Sequence, residues 1–196
     1  MCLKTLMMIL NDPLKAVKQA SKVKIGHVLL VLLLTWGLVG FGLFMVSVKV
    51  FSLIVAFAIG MIGFVAGTLL TTFFAYLLTR IMNILGARGK FINGLTTLAY
   101  SLFPVSVAII ITSMLAFINS MLGVIGFIVI AIQVALSLSL FFRMLKDLFR
   151  TNMITVLVGF FIIVYVIMAS VYLTVSLSSA DLYAFFGEMM IPLFGI

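Results

Sequence analysis

Gly86-Ala-Arg-Gly-Lys-Phe-Ile-Asn-Gly-Leu-Thr-Thr-Leu-Ala-Tyr-Ser-Leu-Phe-Pro104 places two cations, three glycines and a proline between long apolar runs. What flanks this stretch decides the fold. Upstream, Phe51 to Leu85 is almost uninterruptedly apolar, with Arg80 near its end. As a helix rising about 1.5 Å per residue it outruns a hydrocarbon layer roughly 30 Å thick, so it must tilt or project from the membrane. Downstream, a third apolar run continues to Ile118. The stretch therefore reads as a surface loop between two membrane helices. Gly86 is expected to end the first of them as its C-cap. Arg88 and Lys90 are expected to meet headgroup phosphates, and Asn93-Gly94 allows a second turn. Leu95 to Phe103 then forms a short amphipathic piece or the broken first part of the third span. Pro104 removes one backbone hydrogen bond there, a break that lipid tolerates where protein or water re-satisfies the carbonyl.

Composition leads to the same class. Of 196 residues, 66% are hydrophobic and 8% charged, and the mean hydropathy is +1.47. A soluble surface of about 25–35% charged residues cannot be built from this supply, so the solvent is lipid. A transmembrane β-barrel would show roughly ten-residue segments of alternating polarity, whereas these runs are continuous. The expected fold is an all-α integral membrane protein, a five-transmembrane-helix bundle preceded by N-terminal interfacial amphipathic helices.

Residues 1–24 carry Lys4, Lys15, Lys18, Lys22 and Lys24, with Asn11-Asp12-Pro13 reading as a break followed by an Asp-capped helix with Pro at its first position. They are expected to lie in the cytoplasmic interface as a short amphipathic segment. A membrane domain follows over 25–177, with spans near 25–47, 51–85, 95–118, 122–142 and 154–177, and a short extracytoplasmic tail over 178–196. The first span is kept as a permanent helix rather than a signal peptide, because no small-residue cleavage site on a polar flank follows it. Gly60, Gly63 and Gly67 are read as helix-packing positions, the last two at the small-xxx-small spacing that lets a neighbouring helix approach closely.

With five spans, one side of the membrane collects the N-terminal segment, the second-to-third loop with Arg80, Arg88 and Lys90, and the fourth-to-fifth loop with Arg143, Lys146 and Arg150. That side holds 11 of the 12 lysines and arginines, and Lys49 alone lies opposite. The positive-inside rule places the N-terminus in the cytoplasm and the C-terminus outside the cell membrane. The formal charge of +8 is thus a topology signal and a set of contacts to anionic lipid, not a nucleic-acid surface. Arg80, Arg88, Lys90, Arg143, Lys146 and Arg150 are the candidate headgroup ligands. Membrane lipids, anionic ones above all, are the expected partners, together with a second copy or another membrane protein.

No catalytic arrangement is legible. The four carboxylates, Asp12, Asp147, Asp181 and Glu188, all fall in interfacial or aqueous segments, and His27 sits at the start of the first span. There is no His-Glu-x-x-His, no Gly-x-Ser-x-Gly and no Ser–Lys pair in register. Cys2 is the single cysteine, which leaves no intrachain disulfide and no cysteine metal cluster. The run from Gly86 to Lys90 resembles a phosphate loop only superficially: Phe91 stands where Ser or Thr would be needed, and a membrane helix precedes it. The chain is read as a non-enzyme without cofactor or metal. Among polar residues inside the spans, Gln133 and Ser137 share one face a turn apart. With Thr71 or Thr72 they would border a polar cavity if one exists, or tie helices together.

In the order of these features the chain resembles the Yip-one family (Ypt-interacting protein, YIPF), minimal prokaryotic type. The residues that carry the likeness are Gly86, Gly89, Lys90 and Phe91, then Leu98, Ala99, Tyr100, Ser101, Leu102 and Pro104, with a looser match at Asn11-Asp12-Pro13. The resemblance implies a cytosolic N-terminus, five spans, and a role in membrane organisation or trafficking through lipid and helix-mediated contacts. The Asp-Leu-Tyr-Gly-Pro motif of eukaryotic members is absent, as is their long N-terminal region, so Rab-type GTPase binding is not implied. The alternative function is a small transporter or channel with a polar path bordered by the second and fourth spans.

Overall fold

The computed structural model describes residues 24–166 together with 168, 169 and 172. The described residues are helical, with no strand among them. Helix α1 spans Ile25–Ser47, α2 Leu53–Ile84, α3 Phe91–Ile118 and α4 Ser120–Leu148. A shorter apolar helix, α5, spans Met153–Val166. The first four are each long and apolar enough to cross a membrane. They belong to a compact unit that ends at Leu157; the described part of the second unit, from Val158, continues α5. The expected interfacial helices of residues 1–24, apart from Lys24, and the tail over 178–196 lie outside the described residues. So does the C-terminal part of the expected fifth span.

Helix lengths set the frame. At 32 residues, α2 is about 48 Å long, well beyond the hydrocarbon layer, while the 23 residues of α1 make about 34 Å and match it closely. Side chains on the outside are apolar, and Ile54, Ile62 and Phe127 are more than 60% exposed. A soluble protein would not present so much contiguous apolar surface to water.

The hub is α3, which packs against α1, α2 and α4, while α1 and α2 also pack together. Beside Leu95, Phe103 and Pro104, its buried face is made mostly of small and hydroxyl-bearing residues, among them Gly94, Thr97, Ala99, Ser101, Ser106, Ala108, Thr112 and Ser113. Without a hydrophobic drive between helices in lipid, small residues bring backbones into van der Waals contact, and hydroxyls can bond back to their own helix. Thr97 Oγ1 donates to the Asn93 carbonyl at 2.8 Å, Ser106 Oγ to that of Phe103 at 2.7 Å, and Thr112 Oγ1 crosses to the Gly126 carbonyl of α4 at 3.0 Å.

Two local readings are corrected. Asn93-Gly94 is not a turn: α3 begins at Phe91 and both residues are helical. Gly94 instead lets α3 meet α2, since a β-carbon there would stand 2.6 Å from the Ala75 carbonyl. Nor does Pro104 divide the third span, because it sits, buried, inside one continuous helix. Near it, the Thr35 hydroxyl of α1 donates to its own helix at the Val31 carbonyl at 2.8 Å and approaches the Ala99 carbonyl of α3 at 3.5 Å, so α1 lies close against α3 just before the proline.

The turn between α1 and α2 carries Lys49, whose ammonium donates to the Ala116 carbonyl at 2.6 Å and lies 5.5 Å from the Phe117 ring centroid. A cation at the C-terminal end of α3 complements the helix dipole. At the next connection Asn119 alone separates α3 from α4 and caps α4, its side chain accepting from the Met121 amide at 2.9 Å.

Candidate functional site

At the opposite end of the bundle from Lys49, the α2–α3 loop and the α4–α5 loop are joined. The amide of Arg88 donates to the Phe149 carbonyl at 3.3 Å, and the Asn93 side-chain amide donates to the Leu148 carbonyl at 2.9 Å. Phe149 is fully buried and its ring lies against Gly89. Asn83 holds the first loop from the other side: its side chain accepts from the Gly89 amide at 3.0 Å and donates to the Gly89 carbonyl at 3.1 Å.

Both preceding helices end in the same geometry. At the end of α2, Gly86 has φ +85°, its amide donates to the Asn83 carbonyl at 3.1 Å, and that of Ala87 donates to the Met82 carbonyl at 3.0 Å. This is a Schellman closure, with glycine at the left-handed position that favours it. At the end of α4 the Thr151 amide donates to the Lys146 carbonyl at 3.1 Å, and the left-handed position is taken by Arg150, with φ 50°. A non-glycine residue there bears a penalty of about 1–2 kcal/mol.

Between the two loops lies a cavity of about 660 Å³ lined by Gly86, Arg88, Lys90, Asn93, Asp147, Leu148 and Arg150. Asn93 and Leu148 form its bonded wall. Arg88, Lys90, Asp147 and Arg150 are exposed, and none of their side chains has a hydrogen-bond or ion-pair partner among the described residues. On the other side of the α2–α3 loop a smaller cavity, about 220 Å³, is lined by Tyr76, Thr79, Arg80, Asn83, Gly89 and Phe91. There Arg80 Nε donates to the Tyr76 hydroxyl at 3.1 Å, with the guanidinium 5.1 Å from the ring centroid.

Of the six candidate headgroup ligands, Arg88, Lys90 and Arg150 therefore share one cavity and Arg80 borders a second. Arg143 and Lys146 are exposed on the last two turns of α4. Asn83, Asn93, Asp147 and Phe149 join the site beyond the residues expected from the sequence. Asp147 had the clearest signal: a carboxylate in the last turn of a helix opposes the macrodipole.

The packing glycines all face α1. Gly60 meets Gly40 backbone to backbone, a β-carbon on Gly40 standing 2.7 Å from the Gly60 carbonyl; Gly63 receives Leu43; Gly67 receives the Trp36 ring. Trp36 Nε1 donates to Thr71 Oγ1 at 2.8 Å. Thr72 Oγ1 donates to the Thr68 carbonyl of its own helix at 2.8 Å. Gln133 Oε1 and Ser137 Oγ are buried with no hydrogen-bond partner among the described residues. Because α2 packs on α1 and α3, and α4 on α3, the threonines and the Gln133–Ser137 pair stand on helices that do not pack extensively on each other. Tyr100 and Pro104 are buried in α3, and Phe91 opens that helix.

No family model, curated protein or solved structure matches the chain.

Proposed function

We propose that this chain is a Yip-like, non-enzymatic multi-pass protein of the cell membrane. In this reading it has five spans, an interfacial N-terminal segment over 1–24, a cytoplasmic N-terminus and an extracytoplasmic C-terminus. It organises membrane or assists trafficking by holding anionic lipid headgroups at its basic end while its helices contact lipid or a partner protein. The observation that carries the proposal is the cavity between the two loops. Arg88, Lys90 and Arg150 face it with no protein partner among the described residues, and the loops that present them are bonded to one another. Cations held at a helical end, where the membrane meets water, meet phosphates of the leaflet.

The test is lipid retention. Purified wild-type protein and the Arg88→Ala/Lys90→Ala variant are compared by native mass spectrometry in a phosphatidylcholine–phosphatidylglycerol mixture. The variant is expected to keep its fold and to lose about tenfold in anionic-lipid retention. Equal retention removes the proposal. A solute path is the second reading, favoured by Gln133 Oε1 and Ser137 Oγ, which are buried without a partner among the described residues.

A further inference from the structure

Asp147 is the one carboxylate among the described residues, set among cations with which it forms no ion pair. It stands one residue before the end of α4, where the macrodipole disfavours an anion. It has Arg143, Lys146 and Arg150 close by in the chain, yet pairs with none of them and with no other described residue. Arg150, three residues on, takes a left-handed backbone that other residue types fill more easily. These two residues at the end of α4 and in the loop after it face the same cavity, with Arg88 and Lys90 across it. When local choices conflict with helix stability without a compensating contact, a site is the physical reason to look for.

We infer that the cavity selects a phospholipid headgroup carrying hydroxyls beyond its phosphodiester, of the glycerol or inositol type, and that Asp147 is the residue that selects it. This rests on the headgroup reading given above. A carboxylate is an acceptor only, so it bonds hydroxyls and repels a bare phosphate. Arg88, Lys90 and Arg150 supply donors alone, suited to the phosphodiester oxygens. The charge sum points to a polyol rather than an ammonium headgroup. Three cations and one carboxylate leave two positive charges on the cavity; a phosphodiester offsets one, and an ammonium group would restore it. The volume of about 660 Å³ lies within the range of small-ligand sites, roughly 300–1,000 Å³. It holds a headgroup while the acyl chains stay in the leaflet.

The experiment is competition between phosphatidylglycerol and phosphatidic acid, each in a phosphatidylcholine background, read by native mass spectrometry on the full chain. Wild type is expected to favour phosphatidylglycerol by about tenfold, the scale of a hydrogen bond to a charged group. Asp147→Asn is expected to bring the two lipids to near parity while total anionic-lipid retention holds or rises, and Asp147→Glu to restore the preference. Equal retention of both lipids by wild type, or a preference that survives in Asp147→Asn, overturns the inference and leaves the headgroup reading standing. Retention of neither lipid overturns both. Soluble glycerol phosphate is expected not to displace the lipid; displacement would overturn a membrane lipid as the occupant.

Discussion

Gly89 lies against the buried ring of Phe149, so that a β-carbon at position 89 would overlap the ring itself. The contact brings together two loops that are far apart in sequence, and it works only because one side has no side chain. The Arg88–Phe149 and Asn93–Leu148 hydrogen bonds both depend on this approach. Gly89→Ala is therefore expected to push the loops apart and destabilise the protein by about 1–3 kcal/mol, the usual scale of overpacking. Thermal unfolding in detergent measures it. A neutral Gly89→Ala would mean that the loops are not held in contact.

Glycines elsewhere divide into those that touch and those that do not. Gly60 meets the Gly40 carbonyl, whereas nothing lies within 4 Å of a β-carbon built on Gly26. Gly60→Leu is expected to separate α1 from α2 and cost several kcal/mol. Gly26→Ala is expected to be neutral or to stabilise by about 0.5–1 kcal/mol through helix propensity. Steric trapping or denaturant unfolding of both variants separates packing from propensity. Similar effects at the two sites would remove the distinction.

The same contrast indicates what a sequence of this kind discloses. Apolar run length located α1 to α4, because a run such as Phe51 to Leu85 calls for a helix long and apolar enough to cross a membrane. Gly86 announced its role as well, since a glycine closing a long apolar run has few other uses. Asn93-Gly94 misled because turn composition and close helix approach both call for glycine, and the discriminating fact is the Ala75 carbonyl of another helix. The three cations of the cavity are legible as charges at the ends of apolar runs. That Arg88 and Lys90 share a cavity with Arg150 depends on Phe149 filling the space at Gly89, a tertiary contact without local periodicity.

Orientation yields a direct labelling test. Replacing Cys2, the single cysteine, by Ser gives a cysteine-free background. Val50 lies between α1 and α2 and is 74% exposed, and Lys146 is exposed at the basic end. If the positive end lies in the cytoplasm, as proposed, Val50→Cys is expected to react with a membrane-impermeant maleimide in whole cells. Lys146→Cys is expected to react only after the membrane is opened. The reverse pattern would invert the topology.

Gln133 separates the two functional readings, because each assigns a different reason to its buried oxygen, which has no partner among the described residues. If the oxygen is simply unsatisfied in a packed interface, replacing it with an apolar group of similar size removes a desolvation penalty of about 1–3 kcal/mol. Gln133→Leu should then raise the unfolding midpoint and leave proteoliposomes as impermeable as before. If the oxygen borders water on a solute path, the polar group is already solvated, so its loss brings no gain in stability. Flux falls instead, and Ser137→Ala, one turn away on the same face, lowers it too. The headgroup proposal expects the first pattern. A stabilised, impermeable Gln133→Leu variant removes the path, and a variant with unchanged stability and reduced flux supports it.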